Sequence, residues 1–153
     1  MADAATARGR PRLETDDATS LRMSRQRRHD TTPERLLRSL LHRRGLRYRL
    51  HRRPVPGLRR QADLVFVGPR VAVFVDGCFW HCCPEHATSP KANGAWWAAK
   101  LARNVERDRE TDQRLAAAGW RVVRVWEHED PAAAAERVAA VVKISAKVPL
   151  TPN

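Results

Sequence analysis

Apolar residues recur every three or four positions in two stretches of the chain, which is the spacing of one buried helix face. The pattern predicts helices from Thr31 or Thr32 to Gly45 and over about residues 94–118, and an Ala-rich stretch predicts a third from Pro131 to about Val142. Thr31 and Glu34 have the spacing of a capping box, in which Glu34 would serve only as a cap. In the second helix, Asp108 falls on the apolar face and therefore points toward the core or toward something polar within it.

Four short runs are alternating or almost wholly apolar and predict β-strands. They cover residues 46–50, 62–67, 71–75 and 120–126. A Gly68-Pro69 turn joins the second run to the third, which predicts a hairpin at the centre of the sheet with both faces covered. The two prolines and the glycine of residues 51–60 predict an irregular connection. The element order predicts an α/β fold with a mixed sheet of about four strands and helices on both faces.

Charge is concentrated in the first part of the chain. The formal net charge is +12, and residues 1–60 contain 17 Arg and six acidic residues. We expect a disordered tail over 1–20, a single domain over 21–143 that begins with a basic arm at 21–30, and a polar tail over 144–153. A basic arm on a nearly neutral body is typical of a nucleic-acid binder, although a general Arg-rich composition is the alternative.

The cysteines predict a metal site. The chain has no run of about 18 apolar residues and no apolar segment typical of a secretory signal, so we expect a cytoplasmic protein. In that compartment clustered cysteines are metal ligands or redox groups rather than disulfides. All three cysteines lie within residues 71–86. The predicted ligands of a structural Zn²⁺ are Cys78, Cys83, His86 and His128. Cys82 is the alternative to Cys83, and clustered free thiols are the alternative to zinc.

The ends of the hairpin predict a second, hydrolytic site. Asp63 is the one charged residue of an otherwise apolar strand, and Val75-Asp76 ends the paired strand, with His81 a few residues later. A carboxylate that binds Mg²⁺ beside an imidazole base is a minimal site for phosphodiester cleavage. The arrangement resembles the restriction-endonuclease-like fold, in which the next strand carries Glu-x-Lys. Here that strand contains Val73-Phe74-Val75, so a histidine would have to act as the base.

From Met23 to about Glu127, roughly two thirds of the chain resembles the very short patch repair endonucleases. The most specific matches are GCFWH at 77–81, NVERD at 104–108 and GWRV at 119–122. The other matches are Met23-Ser24, Glu34-Arg35-Leu36, Ala62-Asp63 and Val125-Trp126-Glu127. The resemblance implies an enzyme that nicks DNA beside the thymine of a T:G mismatch, which arises when 5-methylcytosine is deaminated. It further implies a nucleoid-associated monomer with a functional link to a DNA cytosine methyltransferase.

The resemblance also implies roles for individual residues of the hydrolytic site. Asp63 and the backbone carbonyl of Val75 would bind the catalytic Mg²⁺. His81 would activate the water, Asp108 would support the site from the long helix, and Glu34 would lie near the same metal.

Four further residues are expected to contact DNA. The resemblance implies that Phe79 and Trp80 wedge into the base stack at the mismatch and that Met23 enters from the opposite groove. Arg25 lies in the basic arm. The alternative for the aromatic pair is ordinary core packing. The alternatives for the whole chain are a nuclease of the same fold with another DNA target, or a non-catalytic zinc-containing DNA-binding module.

Overall fold

The computed structural model describes residues 29–148 and 151–152. Its elements follow the predicted order. They are α1 (Thr32–Arg43), β1 (Arg49–Arg52), β2 (Ala62–Phe66), β3 (Val71–Asp76), α2 (Gly94–Ala117), β4 (Arg121–Trp126) and α3 (Pro131–Lys147). The predicted tail over 1–20 and most of the arm, including Met23 and Arg25, lie outside the described residues. No helix in the described part of the chain has the length and apolarity that crossing a membrane requires.

The predicted mixed sheet of four strands is confirmed. Its strand order is β1-β2-β3-β4. The β2–β3 hairpin is antiparallel, and β1 adds antiparallel to β2. Helix α2 connects β3 to β4, which pair in parallel from Val71 opposite Arg121 to Asp76 opposite Trp126. The start of β2 and the ends of β3 and β4 therefore lie at one end of the sheet.

Two apolar cores form, each joining the sheet to a different set of elements. The larger includes Leu37 and Leu41 of α1, Val138 of α3 and the inner residues of β2, β3 and β4. The smaller contains Leu115 of α2 and Trp120 together with Ala72 and Phe74 of β3. Burial on both faces explains why β2 and β3 are almost continuously apolar.

Helix α2 carries polar residues on its buried face. Asp108 is buried as predicted, together with Trp97 and Leu115, and the same face also buries Asn104 and Thr111. A polar group buried on a helix needs partners, because an unpaired one is costly to desolvate. For Asn104 and Asp108 those partners lie in the segment that follows β3, which α2 thereby holds against the sheet.

The predicted capping box of α1 is wrong. The side chain of Thr31 makes no capping hydrogen bond. The carboxylate of Glu34 instead accepts a hydrogen bond from the backbone N–H of Asp30, at 2.9 Å. The end of the helix agrees with the prediction, since Gly45 follows it in the left-handed conformation at φ 77°.

Two predicted boundaries also need correction. The first strand, predicted over residues 46–50, runs from Arg49 to Arg52. It therefore includes His51 and Arg52, which the sequence pattern places in the irregular connection. Helix α3 continues to Lys147, beyond its predicted end near Val142. Residues 143–148 contain no proline or glycine that would end the helix before Pro149. The hydroxyl of buried Ser145 accepts a hydrogen bond from Nη1 of Arg121 at 2.7 Å.

Candidate active site and metal centre

Asp63 stands at the end of the sheet where β2 begins and β3 ends. Its Oδ2 accepts a hydrogen bond from the backbone N–H of Val75 at 2.7 Å. Burial raises the pKa of Asp63 to about 6; the Val75 hydrogen bond opposes that rise, and the charges of Glu34 and Asp76 add to it. Burial makes the negative charge of this carboxylate unfavourable. A bound cation would neutralise that charge and would therefore be favoured at this position.

His81 is held by Asp108 across the gap between the post-β3 segment and α2. Its Nδ1 lies 2.5 Å from Oδ2 of Asp108, whose other oxygen accepts from Arg60 at 2.9 Å. Although burial acts to raise it, the pKa of Asp108 is lowered by the hydrogen bond and charge of His81, together with Arg124 and Arg60. When the ring of His81 is neutral, an ionised Asp108 at this distance favours the proton on Nδ1, which leaves the lone pair on Nε2.

Arg124 of β4 forms ion pairs with acidic side chains of β3 and α2. Its Nη1 lies 2.8 Å from Oδ2 of Asp76, and its Nη2 lies 2.8 Å from Oδ1 of Asp112 on α2. Asp76 in turn lies 3.7 Å from Nδ1 of His81. Burial outweighs the guanidinium and raises the pKa of Asp76. The sequence pattern did not single out Arg124, whose one signal was a charged residue in the middle of a mostly apolar strand.

Glu34 of α1 is a further acidic residue near Asp63. It is 4% exposed, and its charge raises the pKa of Asp63. The ring of His51 from β1 has a donor atom within 4.8 Å of Asp63 and one within 4.8 Å of Glu34, and the ring of His29 lies beside it. The sequence pattern did not single out either histidine.

The four predicted sulfur and imidazole ligands lie together. One ligand atom from each of Cys78, Cys83, His86 and His128 falls within 4.8 Å of the others. Nδ1 of His128 is 3.2 Å from the sulfur of Cys78 and 3.6 Å from that of Cys83. Cys82 does not belong to this group. Two thiols and two imidazoles at such distances fit a tetrahedral Zn²⁺ after a small contraction.

The aromatic pair packs on the first turns of α2 rather than in either core. Phe79 and Trp80 are partly exposed, and their rings lie 5.4 and 5.9 Å from that of Trp97. The ammonium of Lys100 stands 4.8 Å from the centre of the Trp96 ring and 5.6 Å from that of Trp80. The sequence pattern did not single out Lys100 as part of this cluster. The cluster places aromatic surface and positive charge next to each other.

A cation-binding carboxylate near an imidazole held by a second carboxylate is typical of phosphodiester-cleaving hydrolases. The family model for DNA mismatch endonuclease Vsr matches residues 13–86. Type II nicking enzyme V.NaeI of Lentzea aerocolonigenes is 51% identical over 113 residues, which are 72% of this chain and 68% of that protein. V.XorIIP of Xanthomonas oryzae is 43% identical over 110 residues, which are 70% of this chain and 77% of that protein.

DNA mismatch endonuclease Vsr of Escherichia coli is 40% identical over 101 residues, covering 64% of this chain and 62% of that protein. The chain belongs to the Vsr family. It is therefore a DNA endonuclease of the mismatch-nicking kind, and the alternative of a non-catalytic DNA-binding module is excluded.

Proposed function

We propose that this endonuclease nicks one strand next to the thymine of a T:G mismatch by Mg²⁺-dependent hydrolysis. The observation that carries the proposal is the row of Asp63, Asp76, His81 and Asp108 at one end of the sheet. Asp63 is coupled electrostatically to Asp76, which lies 3.7 Å from His81. The sheet and its helices support a restriction-endonuclease-like fold. This chain lacks the Glu-x-Lys motif of that fold, and His81 is proposed to supply the catalytic base instead of the lysine.

Asp63 and the carbonyl of Val75 are the proposed Mg²⁺ ligands. The N–H of Val75 already points to Asp63, and the N–H and C=O of one strand residue face the same side. The raised pKa of Asp63 and the charges of Glu34 and Asp76 favour a cation here. Bound Mg²⁺ would supply Lewis-acid stabilisation of the phosphate.

His81 is the proposed general base. With Nδ1 occupied by Asp108, Nε2 would accept a proton from water as its oxygen attacks the phosphorus. Asp108 would hold the ring in one tautomer and stabilise the imidazolium that forms. Arg60 and Arg124 keep Asp108 ionised for that purpose, and Glu34 contributes negative charge next to Asp63.

Among the described residues, the proposed DNA contacts are the aromatic pair and a groove along α2. Phe79 and Trp80, backed by Trp97, would wedge beside the mismatch. A groove of about 890 Å³ along α2 begins at Trp96 and is lined further by four basic and two acidic side chains, together with Asn104 and Gln113. Its positive charge suits the phosphate backbone. Met23 and Arg25, outside the described residues, are proposed to contact the duplex from the arm. The monomeric state and the link to a cytosine methyltransferase also remain proposals.

Duplexes that differ at one base pair test this specificity. With Mg²⁺, a T:G duplex should be nicked about 5–150-fold faster than U:G, A:C or fully paired duplexes, because discrimination at one base pair is worth about 1–3 kcal/mol. Each strand is labelled in turn, and products are resolved on a denaturing gel. Equal nicking of paired and mismatched duplexes would contradict T:G specificity and favour a nuclease with another DNA target.

The cluster of Cys78, Cys83, His86 and His128 is proposed to bind one structural Zn²⁺. Cys78→Ser should lose the metal and lower the melting temperature, since a structural zinc contributes its binding free energy to folding. The matched control is Cys82→Ser, which makes the same chemical change outside the cluster and should keep about one zinc per chain. Zinc analysis and thermal unfolding measure both effects. Zinc retained in Cys83→Ser but lost in Cys82→Ser would reverse the choice between the adjacent cysteines.

A further inference from the structure

His51 has no hydrogen-bond partner for either ring nitrogen within the described part of the chain. Both atoms are buried from solvent, although the side chain as a whole is 23% exposed. Buried polar atoms in proteins are almost always bonded, because leaving one unpaired costs about 1–3 kcal/mol. Neither zinc binding at the cysteines nor the proposed hydrolysis uses this ring.

Carboxylates face the two nitrogens of His51 from opposite sides. Nδ1 is 3.9 Å from Oδ1 of Asp63, and Nε2 is 3.7 Å from Oδ1 of Asp30. Both distances exceed that of a hydrogen bond. The ring of His29 lies edge-on to His51, with centroids 4.5 Å apart.

These residues have the composition of a metal site. One donor atom from each of His29, His51 and Asp63 lies within 4.8 Å of the others. Two ligands of one divalent ion, each about 2.0–2.2 Å from it, are at most about 4.4 Å apart. The 3.9 Å separation of His51 from Asp63 is already in that range. A small approach of His29, which is exposed, completes the set.

The partner of Nε2 also fits metal binding. A histidine that binds a metal through one nitrogen commonly donates its other N–H to a carboxylate, which fixes the ring. Asp30 occupies that position, and its own Oδ1 is held by Arg38 at 2.7 Å. Glu34 lies in the same group with Asp30 and His51.

We propose that His29, His51 and Asp63 bind a divalent transition-metal ion. Two imidazoles and one carboxylate favour ions such as Co²⁺, Ni²⁺ or Zn²⁺, whereas Mg²⁺ prefers oxygen ligands alone. This site is separate from the cysteine cluster. It shares Asp63 with the proposed Mg²⁺ site, so an ion bound there would compete with Mg²⁺, a consequence that rests on the proposed function.

Cobalt titration of the full-length protein, carrying one zinc per chain and without DNA, tests the site. Co²⁺ binding is followed by calorimetry and by visible absorption, and the absence of a cobalt–thiolate band shows that the cysteines are not the ligands. His51→Asn removes the imidazole, and Asn tolerates the left-handed backbone found at residue 51, where φ is 48°. The affinity of this variant for Co²⁺ should fall by about 10–100-fold or more. Removing a residue that only hydrogen-bonds to a metal ligand already lowers metal affinity by that factor, and His51 is proposed to be a ligand itself. His29→Ala should weaken binding in the same direction.

His42→Ala is the matched control, since His42 is an exposed histidine in the last turn of α1 and should leave Co²⁺ affinity unchanged. Wild-type affinity in His51→Asn, or cobalt bound only with the thiolate band, would overturn the proposal. Nicking of a T:G duplex with Mg²⁺ is assayed on the same wild-type preparation. Cobalt binding without T:G nicking would refute the proposed specificity while supporting this site, and the converse would refute this site alone.

Discussion

Asp63→Asn should eliminate nicking while making the folded protein more stable at neutral pH. The loss of activity is expected to reach about 10³-fold or more, because a catalytic divalent cation is worth several kcal/mol of transition-state stabilisation. The amide keeps the shape of the side chain, and its oxygen can still accept from Val75 N–H. Binding of mismatched DNA should persist, since the aromatic cluster and the basic groove of α2 are unchanged. Single-turnover nicking and a gel-shift assay measure the two effects.

The gain in stability follows from the pKa of Asp63. This pKa is raised by burial from 3.8 to about 6 in the folded protein, so the folded state binds the proton more tightly than the unfolded state does. The contribution of Asp63 to stability is therefore most favourable below about pH 4 and is lost as the pH rises to about 6. Above that pH the charged form costs about 3 kcal/mol, which Asn removes. Urea unfolding from pH 4 to 8, in Mg²⁺-free buffer with zinc retained, should show the two proteins diverge as the pH rises.

Asp130→Asn provides the control for the same chemical change. Asp130 is exposed and caps α3 by accepting from Ala133 N–H at 2.9 Å, a bond that Asn can also make. Its pH profile of stability and its nicking rate should match those of the wild type. Parallel profiles for Asp63→Asn and the wild type would show that the Asp63 carboxylate is not destabilised by burial.

Local patterns were enough to predict the parts of the site that lie close in sequence. The β2–β3 hairpin places Asp63 against Val75 because antiparallel strands joined by a short turn have a fixed register. Cys78, Cys83 and His86 fall in one tight segment after β3. His128 joins them because β4 runs parallel to β3 and both strands end at the same place.

Contacts that depend on register between distant elements were not visible in the sequence. Nothing in the apolar run of β4 shows that Arg124 lies opposite Phe74, from where its guanidinium reaches Asp76 and Asp112. The position of His51 in β1 was not predicted for a different reason. The prolines and the glycine that follow it in residues 51–60 indicate that the strand has already ended. Its position next to Asp63 follows from the antiparallel pairing of β1 with β2, in which Arg52 lies opposite Ala62.

His81→Ala should slow nicking by about 10²–10⁴-fold, the usual scale of a general base, without loss of zinc. The zinc content separates this role from its strongest rival, because His81 lies between Cys78 and Cys83 in the sequence yet bonds to Asp108 rather than joining their cluster. His42→Ala, which removes an exposed histidine, should have no effect on either quantity.

Asp108 is proposed to act through His81, and a double-variant cycle tests that dependence. Asp108→Asn should slow nicking because the amide can hold the ring in the wrong tautomer. In a His81→Ala background the same substitution should cause little further loss, since there is no ring left to orient. Fully additive losses would mean that Asp108 acts on the DNA or the cation independently of His81. Zinc lost together with activity in His81→Ala would instead make His81 a zinc ligand, leaving the reaction without its proposed base.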